Sequence, residues 1–185
     1  MVREEYESLK TEGDLRKSLI ALKQELKEQG AREQLLEFLQ GDFSLLLGLL
    51  GHSEPKVRGN AAIVLGRLRQ EEFAVPLYEA YEKEEKLFIK SNYLSALAGL
   101  DHSQLDVQLA KRLGELESYV PKEEEEKHIR EELKSLRGLL QSGERRQKHK
   151  FQGYDRAYEV ILTTGKQYQD ITAGQIKGGE VKVLK

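Results

Sequence analysis

The stretch that decides the fold reads Val57-Arg58-Gly59-Asn60-Ala61-Ala62-Ile63-Val64-Leu65-Gly66-Arg67-Leu68. It aligns position by position, at an offset of 32 residues, with Ile89-Lys90-Ser91-Asn92-Tyr93-Leu94-Ser95-Ala96-Leu97-Ala98-Gly99-Leu100. Apolar residues recur at matching positions with helical spacing, and a basic residue recurs at Arg58 and Lys90. The two stretches therefore predict two equivalent helices.

The segments that precede these two helices repeat with the same period. The matching residues are Phe73, Val75, Leu77 and Tyr81 in the first segment and Leu105, Val107, Leu109 and Leu113 in the second. A period of about 20 to 50 residues built from helix pairs is typical of a solenoid, in which each unit buries its apolar face against the next. The repeat therefore predicts an all-α fold of stacked helix pairs.

The second helix of the unit resembles that of the HEAT-repeat family. The resemblance is carried by Pro55-Lys56-Val57-Arg58 and by the run from Ala61-Ala62 to Leu65-Gly66-Arg67-Leu68. It is weaker from Leu87 to Leu100, where Tyr93-Leu94 replaces the alanine pair. The resemblance implies an α-α superhelical solenoid of about four helix pairs and a role in binding a protein partner.

Helical periodicity continues on both sides of the repeat. Asp14 is expected to cap a helix that Gly30 ends, and a second helix is expected from Ala31 to Gln40. The last pair is expected to use 104–116 and 122–140, with an acidic outer side that suits a terminal repeat. We assign residues 1–141 to HEAT-like helical repeats.

A segment of different character follows the helices. Residues 142–156 form a polar, basic linker, and residues 157–185 a short β/α segment. Within this segment we expect strands at 158–164 and 181–184, with a helical turn over 170–176 between them. Two strands cannot build an independent core, so they are expected to pair with another copy, to dock on the helices or to begin a truncated second domain, and we favour the last.

The β/α segment resembles the opening of THUMP-containing RNA methyltransferases. The resemblance lies in Tyr158-Glu159-Val160-Ile161-Leu162-Thr163-Thr164-Gly165 and in Gln169-Asp170-Ile171-Thr172-Ala173-Gly174-Gln175-Ile176. It implies that the part that binds S-adenosylmethionine lies beyond residue 185. The chain shows no catalytic motif of that family.

Composition and spacing argue against several classes of function. The chain has no cysteine, which excludes disulfides and thiolate chemistry, and no uninterrupted apolar stretch is long enough to span a membrane. No nucleophile elbow or phosphate-binding glycine loop is present, so this chain shows no catalytic motif of its own and we expect no cofactor. We expect a cytoplasmic protein with no membrane partner.

The four histidines stand too far apart for a local metal site. We interpret them as turn or surface residues. His52 and His102 each precede a serine, and Ser53 and Ser103 are expected to cap the helices that follow.

Five basic residues lie in or beside the predicted second helices, on the side that would line the concave face. They are Arg58, Arg67, Arg69, Lys86 and Lys90. One interpretation pairs them with acidic neighbours such as Glu54, Glu71 and Glu85, as part of a salt-bridged scaffold. In the other, they converge unpaired and bind an anion or an acidic partner.

A second basic group lies in and after the linker. It comprises Arg145, Arg146, Lys148, His149 and Lys150, beside the aromatic residues Phe151 and Tyr154. Charge next to rings that can stack on bases is typical of nucleic-acid binding, whereas a solvated linker is the alternative. Residues 144–185 carry a net charge of +4 and residues 1–143 a net charge of −6.

The sequence therefore leads to two hypotheses of function. The first is a non-catalytic HEAT-repeat scaffold that binds a protein partner. The second is the N-terminal, substrate-holding region of an S-adenosylmethionine-dependent RNA methyltransferase, with RNA held by the basic linker.

Overall fold

The computed structural model describes residues 2–11, 14–28, 30–151, 174–177 and 180–183, with side chains as far as Gln141. The chain divides into two compact units, Met1–Gln141 and Ser142–Lys185. Each unit is considered by itself below.

Helices make up most of the first unit's described residues, as the sequence predicts, and the last of these helices continues past Gln141. Its helices in chain order are α1 (Val2–Glu7), α2 (Leu15–Glu25), α3 (Ala31–Leu39), α4 (Ser44–Gly48), α5 (Pro55–Leu68), α6 (Ala74–Lys83), α7 (Leu87–Leu97), α8 (Asp106–Ser118) and α9 (Glu123–Phe151). Short 3-10 turns at Ser8–Lys10, Leu49–Gly51, Glu71–Phe73 and Ser103–Leu105 extend the helices beside them. Helix α1 is an addition to the sequence prediction, which begins at Asp14.

Several helix ends follow from local chemistry. The Asp14 carboxylate accepts a hydrogen bond from the Lys17 N–H at 3.1 Å, so this residue caps α2 as expected. Pro55 occupies the first turn of α5. Proline lacks an N–H, but the N–H groups of a first turn have no partner within the helix, so no hydrogen bond is lost. Gly30 has a φ of 83° immediately before α3, a conformation that glycine adopts without strain.

The turns that contain histidine differ from the prediction. Neither Ser53 nor Ser103 caps a helix: Glu54 precedes α5 without a side-chain cap, and Ser103 begins a 3-10 turn. His102 is a core residue rather than a surface residue, with 1% of its surface exposed. Its Nδ1 lies 3.3 Å from an Asp106 carboxylate oxygen, whereas its Nε2 is buried without a hydrogen-bond partner among the described residues.

The core of the first unit is built from the apolar stripes of consecutive helices. Leu65 and Leu68 of α5, Leu77 and Tyr81 of α6, and Leu97 of α7 are almost completely buried. Burying a leucine side chain contributes about 1.5 to 3 kcal/mol, so these stripes supply most of the stability. Helix α6 leads into α7 through the three residues 84–86, so the two helices form a hairpin.

Helices α5 and α7 approach closely at small residues. A Cβ at Gly59 would lie 2.6 Å from Asn92 Nδ2, and one at Gly66 would lie 2.6 Å from the Ala96 Cα. The contact points advance together along both helices, so α5 and α7 run parallel. Each contact joins residues 30 or 33 positions apart, which brackets the 32-residue period of the sequence.

Helix α9 is longer than the sequence prediction, which ends it at Leu140. It continues through Ser142 and Gly143 to Phe151 and so includes most of the segment assigned above to a linker. The physical reason lies in residues 144–148, Glu-Arg-Arg-Gln-Lys, which are all strong helix formers. A single glycine costs only about 1 kcal/mol in a helix, which such neighbours offset.

The described strands of the second unit are β1 (Gly174–Lys177) and β2 (Glu180–Val183). They pair antiparallel, with Lys177 opposite Glu180. Residues 174–176 therefore belong to a strand and not to the expected helical turn. The sequence between the strands is Gly178-Gly179, a dipeptide that two-residue hairpins favour. The strand expected at 158–164 lies outside the described residues.

Candidate functional site

Arg58 is held by a buried carboxylate and by two carbonyls. Its Nε and Nη2 donate to the two carboxylate oxygens of Glu84 at 2.8 and 2.7 Å. Its Nη1 donates to the carbonyl oxygens of His52 and Ser53 at 2.8 and 3.0 Å. The guanidinium therefore joins the turn before α5 to the turn after α6, in the bidentate geometry that arginine gives.

Glu84 is the centre of this contact and was not singled out in the sequence. Its side chain is 1% exposed, and it also accepts the Lys86 N–H at 2.8 Å and the Tyr93 hydroxyl at 3.3 Å. Burial opposes its charge, but the hydrogen bonds from Arg58 and from the Lys86 N–H outweigh burial and lower its pKa below the ordinary carboxyl value. Glu84 is therefore charged at neutral pH.

Lys90 belongs to a different cluster. It is 7% exposed, and its Nζ donates to the Tyr81 carbonyl at 3.0 Å. The same Nζ lies over the Tyr81 ring, 4.5 Å from the ring centroid. The Tyr81 hydroxyl donates to Glu132 of α9, and Arg112 of α8 donates to the same carboxylate oxygen at 3.1 Å. Burial lowers the pKa of Lys90, an effect that the charge of Glu132 partly offsets. The cluster joins α6, α7, α8 and α9.

Arg67 meets α2 instead. Its Nη1 donates to the carbonyl of Lys23, and the Lys23 ammonium donates to the Asn60 side-chain oxygen at 3.0 Å. Both basic side chains are half-buried. Among the described residues no carboxylate forms an ion pair with either, which distinguishes Lys23 and Arg67 from Arg58.

Lys86 and Arg69 are exposed. Lys86 directly precedes α7 and lines an open groove of about 560 Å³ that also contains Leu50, Ala80 and Lys83. Arg69 follows the last residue of α5 with a φ of 53°. The five basic residues named from the sequence therefore occupy separate places: two border the groove, one is in the Tyr81 cluster, one is at the α2–α5 contact and one is at a helix end.

Comparisons with protein families, with curated proteins and with solved structures find no match for this chain. The resemblances to HEAT repeats and to THUMP-containing methyltransferases therefore stay predictions.

The described part of the chain contains neither a metal-binding cluster nor a membrane-spanning helix. No group of three or more histidine, aspartate or glutamate side chains there is arranged to hold a metal ion. None of the helices described combines the length and the apolar character that crossing a bilayer requires.

The second basic group falls in the C-terminal part of α9 and beyond it. The residues Arg145, Arg146, Lys148, Lys150 and Phe151 lie within the helix, in a part whose side chains are not described. Tyr154 lies outside the described residues. The nucleic-acid hypothesis for these residues stays a prediction.

The charges of the helices are segregated in a way that matters for binding. Helices α5 and α7 contain Lys56, Arg58, Arg67 and Lys90 but no aspartate or glutamate. Their neighbours α6 and α8 carry both signs. Arg58 is paired with Glu84 and Lys90 is buried, so Lys56 and Arg67 are the basic side chains of these two helices that lack both an acidic partner and full burial among the described residues.

The sequence analysis missed Lys23 and Asn60, and one signal could have shown them. Asn60 and Asn92 occupy equivalent positions of the repeat. Helix packing does not require a polar residue at this position, so the recurrence of asparagine is the signal. The contact of Lys23 with Asn60 spans 37 residues, which no local pattern reveals.

Proposed function

We propose that this chain is a non-catalytic helical-repeat scaffold of the HEAT type that binds a protein partner through its α5–α7 layer. The observation that carries the proposal is the parallel packing of α5 and α7 at nearly the period of the sequence repeat. Equivalent helices that pack side by side in the same direction are what a stack of helix pairs requires.

The order of the elements supports the same proposal. The pairs α4–α5, α6–α7 and α8–α9 follow one another in the chain, each with a shorter or 3-10-extended first helix. Helix α3 lies between α2 and α4 and breaks this alternation, so α1 to α3 form an N-terminal part of different construction. A stack of this kind offers a continuous surface along its second helices.

The character of that surface supports binding rather than catalysis. Ser95 of α7 is exposed, and Asn92 of α7 and Asn60 and Ile63 of α5 are half-buried. These side chains offer hydrogen-bond donors and a small apolar area, and none is a strong nucleophile or general base. A partner that matches them would be recognised by shape and polarity.

Photo-crosslinking at two matched exposed positions tests the proposal. A benzophenone amino acid replaces Ser95 of α7 in one variant of the full chain and Lys111 of α8 in the other, and both are expressed in the cell of origin. We expect a protein adduct at position 95 that is absent at position 111. The captured protein, purified separately, should bind the full chain with micromolar or tighter affinity in calorimetry.

Three results would contradict the proposal. These are RNA as the sole adduct, equal adducts at both positions, or a captured protein that does not bind when purified. A gel shift with transfer RNA at two salt concentrations examines the methyltransferase hypothesis in parallel, because phosphate contacts weaken steeply as salt rises. Salt-sensitive binding of RNA without any protein adduct would favour that hypothesis instead.

A further inference from the structure

The contact between α2 and α5 brings two cations together without a counter-ion. The Lys23 ammonium has the neutral Asn60 oxygen as its partner at 3.0 Å, and the Arg67 guanidinium has the neutral carbonyl of Lys23. A half-buried charge is normally paired, because a neutral acceptor replaces only part of the lost hydration. Within the described residues, no acidic side chain compensates the charges of Lys23 and Arg67.

The electrostatics of the pair agree with the geometry. Burial lowers the pKa of Lys23, and repulsion from Arg67 and from Lys27 lowers it further. No carboxylate opposes these effects. An anion placed between the two side chains would relieve both the repulsion and the unmet solvation, so the site favours a negatively charged ligand.

The surroundings of the pair indicate how a ligand would continue along the surface. Asn60, Ile63 and Arg67 lie three and four residues apart, so they share one face of α5. The equivalent repeat positions hold Asn92 and Ser95 of α7 and Gly99, two residues after the end of that helix. The face therefore passes from the two cations to amide, hydroxyl and glycine positions, with no acidic side chain on either helix.

We propose that this face binds an acidic segment of the protein partner, with a carboxylate of that segment seated between Lys23 and Arg67. The inference rests on the proposed function and names the chemistry of its partner. A nucleic acid fits less well, because its backbone charge needs many cations for affinity, whereas the site offers two.

Fluorescence anisotropy with three short labelled probes tests the inference on the full chain. The probes are a peptide of alternating glutamate and serine, the matched glutamine and serine peptide, and a single-stranded uridine RNA of the same length. The variants are Lys23→Glu and Lys23→Gln, with Lys17→Glu as a control, because Lys17 is exposed on the same helix. Circular dichroism confirms that each variant is folded.

We expect the glutamate peptide to bind in the micromolar range and the glutamine peptide to bind at least about tenfold more weakly. The Lys23→Glu variant should lose at least about tenfold in affinity, Lys23→Gln should lose less, and Lys17→Glu should stay within about twofold. In NMR spectra, the peptide should shift the side-chain amide signals of Asn60 and the Nε–H signal of Arg67.

Several outcomes would overturn the inference. These are no binding of the glutamate peptide, an equal loss in the Lys17→Glu control, or RNA binding that depends on Lys23 while the peptide fails to bind. If Lys23→Glu leaves both the peptide affinity and the crosslink at position 95 unchanged, the proposal of a scaffold stands and the proposal of an acidic ligand is wrong. If no protein crosslinks at position 95 in any variant, the proposed function itself fails.

Discussion

At the scale of single residues, the contact between Arg58 and Glu84 is the best-supported polar interaction of the first unit. It has two short hydrogen bonds between opposite charges and two more to carbonyls, and Glu84 is buried. Removing one member of such a pair leaves the other charge buried without compensation. The contact therefore contributes more to stability than the exposed ion pairs do.

We expect Arg58→Met to lower the free energy of unfolding by about 3 kcal/mol, because Glu84 keeps its buried charge without the guanidinium. Urea denaturation followed by circular dichroism measures the change. The matched control is Arg130→Met, which removes an arginine from an exposed pair with Glu126 and should cost under about 1 kcal/mol. Equal losses in the two variants would show that burial does not strengthen the Arg58 contact.

The lowered pKa of Glu84 predicts a dependence on pH. A carboxyl whose folded pKa lies below its unfolded value stabilises the protein above the unfolded pKa, and this contribution disappears as pH falls through the folded value. We expect the free energy of unfolding to fall between about pH 5 and about pH 3, and to fall less in Arg58→Met. Denaturation curves across this range check the difference; parallel profiles for the two proteins would contradict it.

At the scale of helices, the closeness of α5 and α7 depends on the small residues between them. A Cβ at Gly66 would lie 2.6 Å from the Cα and 2.7 Å from the Cβ of Ala96, and a backbone atom cannot move aside as a flexible side chain can. The two helices would have to separate. Gly66 is therefore required by packing, although alanine is the better helix former.

We expect Gly66→Ala to destabilise the chain by about 2 kcal/mol, because overpacking outweighs the gain in helix propensity. Gly114→Ala is the matched control: Gly114 lies within α8 with no atom within 4 Å of the added Cβ. That control should gain up to about 1 kcal/mol. Thermal melting of both variants gives the answer, and a stabilised Gly66→Ala would mean that α5 and α7 do not touch there.

At the scale of the whole molecule, the sequence predicts the helical class and many helix ends, because these depend on neighbours in the chain. Asp14 caps α2 as expected, whereas α2 ends at Glu25 and Gly30 precedes α3 instead of ending α2. The polar clusters could not be predicted in this way. Arg58 reaches Glu84 across 26 residues and Arg67 reaches Lys23 across 44, so the partners depend on how the helices pack.

Lys90 shows a related limit of the sequence analysis. It occupies the repeat position of Arg58, yet it is buried over the Tyr81 ring while Arg58 bonds to Glu84. The same repeat position thus makes two different contacts, because the surrounding helices differ from one helix pair to the next. Periodicity finds the position but not the partner.

The division into two units predicts that the first is stable alone. We expect a chain that ends at residue 143 to keep its helical circular dichroism signal, and its melting temperature should change by less than about 4 °C, because the described core lies within Met1–Gln141. Thermal melting of the shortened and full chains makes the comparison. A loss of cooperative melting in the shortened chain would contradict this expectation.

The central claim is that α5 and α7 are equivalent helices stacked in parallel, and engineered disulfides test it most directly. The chain contains no cysteine, so an added pair reports on one contact alone. A Cβ at Gly59 would lie 3.4 Å from the Ile89 Cβ, close to the separation of about 3.5 to 4.5 Å in disulfides. An antiparallel arrangement would instead bring Gly59 near Ala96.

The measurement is the extent of disulfide formation under mild oxidation, read from the mobility of the chain in non-reducing gels and from peptide mass spectrometry. We predict that the double variant Gly59→Cys/Ile89→Cys crosslinks within the chain and that Gly59→Cys/Ala96→Cys does not. Crosslinking of the second pair in place of the first would contradict the parallel stack, and with it the scaffold built on that arrangement.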